Sequence, residues 1–203
     1  MKKPHILEGY GPLDVFLAKW RYRIAAKQMK LAQKKDGRIL DIGCGSYPLF
    51  LTTISFREKY GLDKEVTAAL ESDVGEQSIT LVRHNFESEK ELPFPDDYFD
   101  VAAMLAVLEH LERRGAVRVL GEIYRVLKPG GLFIITTPAP WADWLLRTMA
   151  TLHLTSDVSF DEHKDRYGPS MISRVLQDAR FQKNNLRLGY FEFFMNIWAT
   201  AVK

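Results

Sequence analysis

The residues that announce chemistry first are Asp41-Ile42-Gly43-Cys44-Gly45, an acid and a Gly-x-Gly turn at the end of the apolar run Arg38–Ile42. Glycines placed there let the backbone close on a ligand, and the helix that follows offers free N–H groups. Asp63 closes the run Tyr60-Gly61-Leu62-Asp63, 22 positions after Asp41. That is about where an acid takes ribose hydroxyls in nucleoside-binding folds. Asn85-Phe86 ends a third run and offers an amide and a ring to a purine, while Ala106-Val107-Leu108-Glu109-His110 follows a fourth and would floor the same pocket. A dinucleotide-binding turn shares Gly-x-Gly but wants glycine or alanine three residues after its second glycine. Pro48 stands there, bulky and without an N–H for a pyrophosphate. An NAD-dependent oxidoreductase is therefore the lesser alternative.

The elements that must hold these residues alternate. Leu13, Phe16, Leu17, Trp20, Ile24 and Leu31 recur at helical spacing, predicting a helix over 12–35 whose neighbouring stripe is Lys19, Arg23, Lys27, Lys30 and Lys34. Strands are predicted at Arg38–Ile42, Tyr60–Asp63, Ile79–His84, Tyr98–Met104 and Leu132–Thr137, with helices at Pro48–Ile54 and Glu109–Leu127. Lys128-Pro129-Gly130-Gly131 is expected to stop the second of these helices. Further helices are predicted at Trp141–Leu154 and Pro169–Ala179. The final runs, Leu186–Phe194 and Ile197–Val202, are joined so tightly, by little more than Met195-Asn196, that only an antiparallel hairpin fits. The pattern implies a doubly wound α/β domain: a mostly parallel seven-stranded sheet, helices on both faces, and a C-terminal antiparallel hairpin.

Composition bounds the rest. The chain of 203 residues, 46% hydrophobic and 27% charged, suits one compact unit. Cys44 is the single cysteine, which excludes a disulfide framework and a cysteine-built zinc site. No metal is expected. No leader-like or membrane-spanning run is seen, so the expectation is a cytoplasmic protein. Residues 1–35 hold nine Lys/Arg against Glu8 and Asp14, whereas the remainder carries 19 basic and 24 acidic residues. The division expected is a basic amphipathic extension or lid at 1–36 and a catalytic domain at 37–203.

Taken together, the chain resembles the class I, Rossmann-like, S-adenosylmethionine-dependent methyltransferases, most closely their small-molecule branch. The matching residues are Ile39–Gly45, Gly61-Leu62-Asp63, Leu92-Pro93-Phe94 with Phe99-Asp100, Leu108-Glu109-His110-Leu111 and Arg125–Gly131, in order and correctly spaced. The similarity covers roughly residues 38–137 and the C-terminal hairpin. It implies S-adenosylmethionine as cofactor: Asp41, Gly43, Cys44 and Gly45 about the methionine part, Asp63 on the ribose, Asn85 and Phe86 on the adenine, and Leu105 or Ala106 beside it. Two positions depart from the family pattern. Tyr47 replaces the usual third glycine, and Arg180 stands where glycine is frequent.

The resemblance implies methyl transfer to an O, N or C atom of a small-molecule acceptor. Positioning does much of such work, and a base is needed only if the acceptor loses a proton. His163, in Asp161–Tyr167, is the candidate base, with a solvated charged loop as the plain alternative. No Asn-Pro-Pro-Tyr or Asp-Pro-Pro-Tyr follows the fourth strand, and no nucleic-acid module accompanies the basic arm, so nucleic-acid acceptors are disfavoured. The basic helix, with Trp141, Trp144, Leu145, Leu146 and Met149, leaves open a peripheral membrane contact and an apolar or lipid-linked acceptor. A cofactor-binding regulator or assembly subunit without turnover is the alternative class.

Overall fold

Short runs of Ile, Leu, Val and Ala buried on both faces can satisfy their backbone only in the middle of a sheet, and the chain uses them so. The computed structural model describes residues 12–32, 36–67, 78–86, 88–142 and 167–203. The elements are α1 (Pro12–Leu31), β1 (Arg38–Ile42), α2 (Leu49–Thr53), β2 (Glu58–Asp63), β3 (Ile79–Arg83), β4 (Phe99–Leu105), α3 (Arg113–Val126), β5 (Leu127–Pro138), α4 (Pro169–Asp178), β6 (Leu186–Phe191) and β7 (Asn196–Val202). They form one seven-stranded sheet in the order β3-β2-β1-β4-β5-β7-β6. The first five strands pair in parallel and β7 is antiparallel to both β5 and β6. The predicted doubly wound sheet with its C-terminal hairpin is thus the observed one. The chain reverses direction across β1, with β2 and β3 on one side and β4 and β5 on the other. At such a switch point a crevice opens at the carboxyl ends of the strands.

Each face carries its own core. On one, α3 and α4 bring Ala116, Leu120, Ile123, Ile172, Val175 and Leu176 onto Leu40, Ala102, Phe133 and Ile135. On the other, Ala25 and Met29 of α1 and Phe50 and Leu51 of α2 meet Ile39, Val101, Ala103, Leu132 and Ile134. The sheet-facing stripe of α1 is rotated from the predicted one: Leu17, Ala25, Gln28 and Met29 are buried, while Trp20 and Ile24 are only half-buried. The small Ala25 lets this helix settle on the strands.

Two helix ends differ from expectation for local reasons. Leu108–His110 is a single 3-10 turn, and the regular α3 begins at Arg113. It stops at Val126, before the proline and glycines, because Leu127 already pairs beside Phe99 of β4. The loop joining β6 to β7 spans 192–195, longer than expected. Arg125 explains its place in the recurring motif: its guanidinium donates to the carbonyls of Phe94 (2.9 Å) and Leu92 (3.0 Å) and to Glu122 (2.7 Å). It thereby ties the Leu92-Pro93-Phe94 loop to α3. The helix predicted at Trp141–Leu154 lies outside the described residues from 143 onward.

Candidate functional site

The turn after β1 is shaped by two glycines. Gly43 has φ +75 and its N–H donates to the Leu62 carbonyl at 2.7 Å, pinning the turn to β2. A Cβ there would lie 2.3 Å from Cγ2 of Val107, so the loop after β4 can approach only a glycine. Gly45, at φ +72, faces the other way: nothing lies within 4 Å of where its Cβ would be. Positive φ costs an L side chain roughly 1–2 kcal/mol, which glycine avoids. Gly43 closes the packing and Gly45 leaves a space.

Two carboxylates border that space. Asp63, half-buried at the end of β2, accepts from the Gly45 N–H at 2.9 Å through Oδ2 and from the Glu65 N–H at 2.9 Å through Oδ1. Asp41 is 4% exposed and faces no paired cation among the described residues. Burial, and then the charge of Asp63, push its carboxyl up to about 8. Buried carboxylates are ordinarily paired or neutral. An uncompensated acid beside a glycine cradle is suited to a ligand that brings its own positive charge.

Cys44 belongs to the turn by its backbone only. Its thiol is buried, with Sγ 2.9 Å from the Cβ position of Gly61, and burial followed by the charges of Asp41 and Asp63 raises its pKa. A thiol held protonated in this way is no nucleophile.

Asn85 and Phe86 follow β3 at the same edge, both half-buried. Asn85 donates its N–H to Glu89 Oε1 at 2.8 Å, and the Phe86 carbonyl accepts from Arg118 Nη2. His84 behind them is buried, its Nδ1 3.2 Å from Glu89 Oε2, which makes it a structural residue of this corner.

Leu105 and Ala106 end β4. Ala106 has φ +59 and donates its N–H to the Thr136 carbonyl at 2.9 Å. Alanine in the left-handed region is strained, and such residues gather where a site dictates the backbone. Glu109 is buried and accepts from Thr137 Oγ1 at 2.9 Å, bracing this turn against β5. Asp41, Gly43, Gly45, Asp63, Asn85, Phe86, Leu105 and Ala106 therefore share one edge, following β1, β2, β3 and β4. His163 lies outside the described residues.

The C-terminal hairpin holds what sequence reasoning passed over. Glu192, Phe193 and Phe194 have φ of +51, +53 and +67 in succession. Glu192 is 4% exposed, whereas Phe193 is 87% and Phe194 66% exposed. Burial raises the Glu192 carboxyl, while Arg21 and a hydrogen bond from Asn196 pull it down. Because β7 runs against β5, this tip returns to the carboxyl edge, where Met195 accepts from the Ala139 N–H at 2.7 Å. Glu-Phe-Phe reads as plain strand, so only the backbone betrays the turn. Arg180 likewise has φ +80, the reason glycine suits that place.

Comparisons agree with this geometry. A family profile described as a methyltransferase domain matches residues 40–135. A probable S-adenosylmethionine-dependent methyltransferase of Mycolicibacterium smegmatis is 31% identical over 121 residues, 59% of this chain and 45% of that protein. The demethylmenaquinone methyltransferase of Listeria monocytogenes is 35% identical over 133 residues, 60% of this chain and 52% of that one. The matches thus span about half the length of these relatives. Among solved structures, a SAM-dependent methyltransferase from Archaeoglobus fulgidus aligns over 95% of this chain and 100% of its own, with a TM-score of 0.62 at 17% identity.

Proposed function

We propose that the chain, whose residues 40–135 match a methyltransferase domain, belongs to the class I, S-adenosylmethionine-dependent family and transfers a methyl group from S-adenosylmethionine to a small-molecule acceptor. The observation that carries the reading is the open cradle at Gly45, bordered by Asp63 and by the buried, uncompensated Asp41. The cofactor supplies a methyl already activated on a sulfonium. The chain's part is to bind, orient and exclude water. Asp41 answers the positive charge of the methionine end, with Gly43, Gly45 and the backbone of Cys44 shaping the turn around it. Asp63 receives the ribose hydroxyls. Asn85 and Phe86 hold the adenine, and Leu105 and Ala106 wall the pocket.

We read residues 1–36 as a lid over this domain, seated by the second half of α1, since Ala25 and Met29 belong to the sheet's core. His163 remains the base we assign for an acceptor that must lose a proton, with 37–203 as the catalytic unit.

An apolar acceptor, or one met at a membrane surface, is supported by the rings left exposed: Trp141 (46%), Tyr190 (45%), Phe193 and Phe194. Tyr190 and Phe194 lie together, ring centroids 5.7 Å apart, and exposed apolar surface of this kind usually marks a contact. Lys19 and Arg23 of α1 are also exposed. No helix among the described residues is long and apolar enough to cross a membrane; the contact we propose is peripheral. The demethylmenaquinone methyltransferase, by its name, acts on an acceptor of small-molecule type, which supports the same reading. The test is release of S-adenosylhomocysteine from S-adenosylmethionine across an acceptor panel of graded apolarity. Turnover rising with apolarity supports the proposal, and cofactor binding without turnover on any acceptor favours the regulator.

A further inference from the structure

On the α1 side of the sheet, Thr136 Oγ1, Glu192 Oε1, Asn196 Oδ1 and Arg21 Nε are buried with no hydrogen-bond partner among the described residues. Buried polar atoms are nearly always satisfied, so a group of orphans needs a reason. Register gathers them at one edge. Thr136 sits between Leu105 of β4 and Trp198 of β7, and Asn196 lies opposite Pro138 on the same face. Asn196 Nδ2 donates to Glu192 Oε2, which leaves one oxygen of each side chain unused. Arg21 approaches from α1, close enough for its charge to act on Glu192.

The hairpin tip is bent to achieve this. Three successive residues in the left-handed region turn Glu192 inward and Phe193 and Phe194 outward. Side chains other than glycine hold that backbone only where the surroundings enforce it, most often at binding sites.

The position is also telling. Leu105 is the proposed wall of the cofactor pocket. Adjacent strands lie about 4.8 Å apart and residues rise about 3.3 Å along each, which sets Thr136 roughly one strand spacing, and Asn196 about 12 Å, from it. An acceptor must lie within such a reach of the methyl.

The unused atoms state what they want. Asn196 Oδ1 only accepts, as does Glu192 Oε1 when ionised, Arg21 Nε only donates, and Thr136 Oγ1 does either. An ammonium would be repelled by Arg21 and an anion by Glu192. A hydroxyl, which donates and accepts at once, meets the whole set.

We propose that Thr136, Glu192, Asn196 and Arg21 form the polar end of the acceptor pocket and select an acceptor bearing a hydroxyl group. This rests on the methyltransferase reading above and adds to it the chemistry of the acceptor and the residues that recognise it. The rings at the tip then take the acceptor's apolar body.

The test uses the full chain saturated with S-adenosylhomocysteine, titrated with 1-naphthol and with its methyl ether 1-methoxynaphthalene by calorimetry. The expected result is 1-naphthol binding at least fivefold more tightly. Glu192→Gln and the near-isosteric Thr136→Val should each reduce that preference severalfold while leaving S-adenosylhomocysteine affinity within twofold. Equal affinity for the two probes, a preference that survives both substitutions, or no binding of either probe at millimolar concentration overturns the proposal. Failure of S-adenosylhomocysteine itself to bind would instead strike the methyltransferase reading.

Discussion

Asp41→Asn separates two effects that one buried carboxylate exerts. In the ligand-free protein, burial and the neighbouring Asp63 push the Asp41 carboxyl from 3.8 to about 8. The folded state therefore holds a proton that the unfolded chain has released, and stability falls as pH rises from about 4 to about 8 before levelling off. At 1.36 kcal/mol for each tenfold, the full loss is at most ~6 kcal/mol, and solvent reorganisation around the pocket reduces it to a few. Asparagine has the shape of the protonated acid and never charges. The variant should match the wild type within about 1 kcal/mol at pH 5 and exceed it by roughly 2–4 kcal/mol at pH 9. Binding should show the opposite preference. The ligand's ammonium group favours ionised Asp41, so wild-type affinity for S-adenosylhomocysteine should climb with pH up to about 8. The rise ends there, where the ligand's own amino group also titrates. The variant should lack the part of this rise that Asp41 supplies, and at pH 8 it should bind at least tenfold more weakly. Urea unfolding at both pH values and calorimetry from pH 6 to 8 read the two effects. Equal stability differences at pH 5 and pH 9, or parallel binding profiles, would refute the assignment of Asp41 as the uncompensated charge of the site.

Other outcomes follow from single contacts. Asp63→Ala removes the acceptor of the Gly45 N–H and the proposed charge-assisted ribose contact. Its dissociation constant for S-adenosylhomocysteine should rise more than tenfold, and unchanged affinity in a folded variant rejects the ribose role. Arg180 is exposed with φ +80, so Arg180→Gly should stabilise the protein by about 0.5–1 kcal/mol in urea unfolding, and destabilisation would contradict the strain argument. Phe193→Ser with Phe194→Ser should abolish sedimentation with anionic phosphatidylglycerol vesicles without changing cofactor affinity. Equal sedimentation of both proteins removes the hairpin tip from any membrane contact. His163→Ala should slow methyl transfer at unchanged cofactor affinity, and wild-type turnover excludes it as the base.

The sheet was largely legible in the sequence because its strands are short, apolar and closed by punctuation that carries a physical meaning. Gly43 and Gly45 mark a turn where the backbone takes positive φ, and Asp63 closes the second strand. Helix margins were less legible. Nothing in Leu108–Glu112 signals that a 3-10 turn precedes α3, because Glu109 is fixed by Thr137 on a distant strand. The buried face of α1 is rotated from the one its large apolar residues predict, since the small Ala25 sits against the sheet. The polar group at Thr136, Glu192, Asn196 and Arg21 left no local signal at all. Thr136 lies 115 residues after Arg21 and 56 before Glu192; antiparallel pairing of β7 with β5 brings the hairpin residues to Thr136, and α1 brings Arg21.

Calorimetry of the purified, folded chain with S-adenosylmethionine and S-adenosylhomocysteine is the most direct examination of an adenosyl pocket built on Gly45, Asp41 and Asp63. Saturable one-to-one binding of both, well below millimolar and weakened by Asp63→Ala, is the predicted result. A folded protein that gives no binding heat with either molecule at millimolar concentration contradicts it.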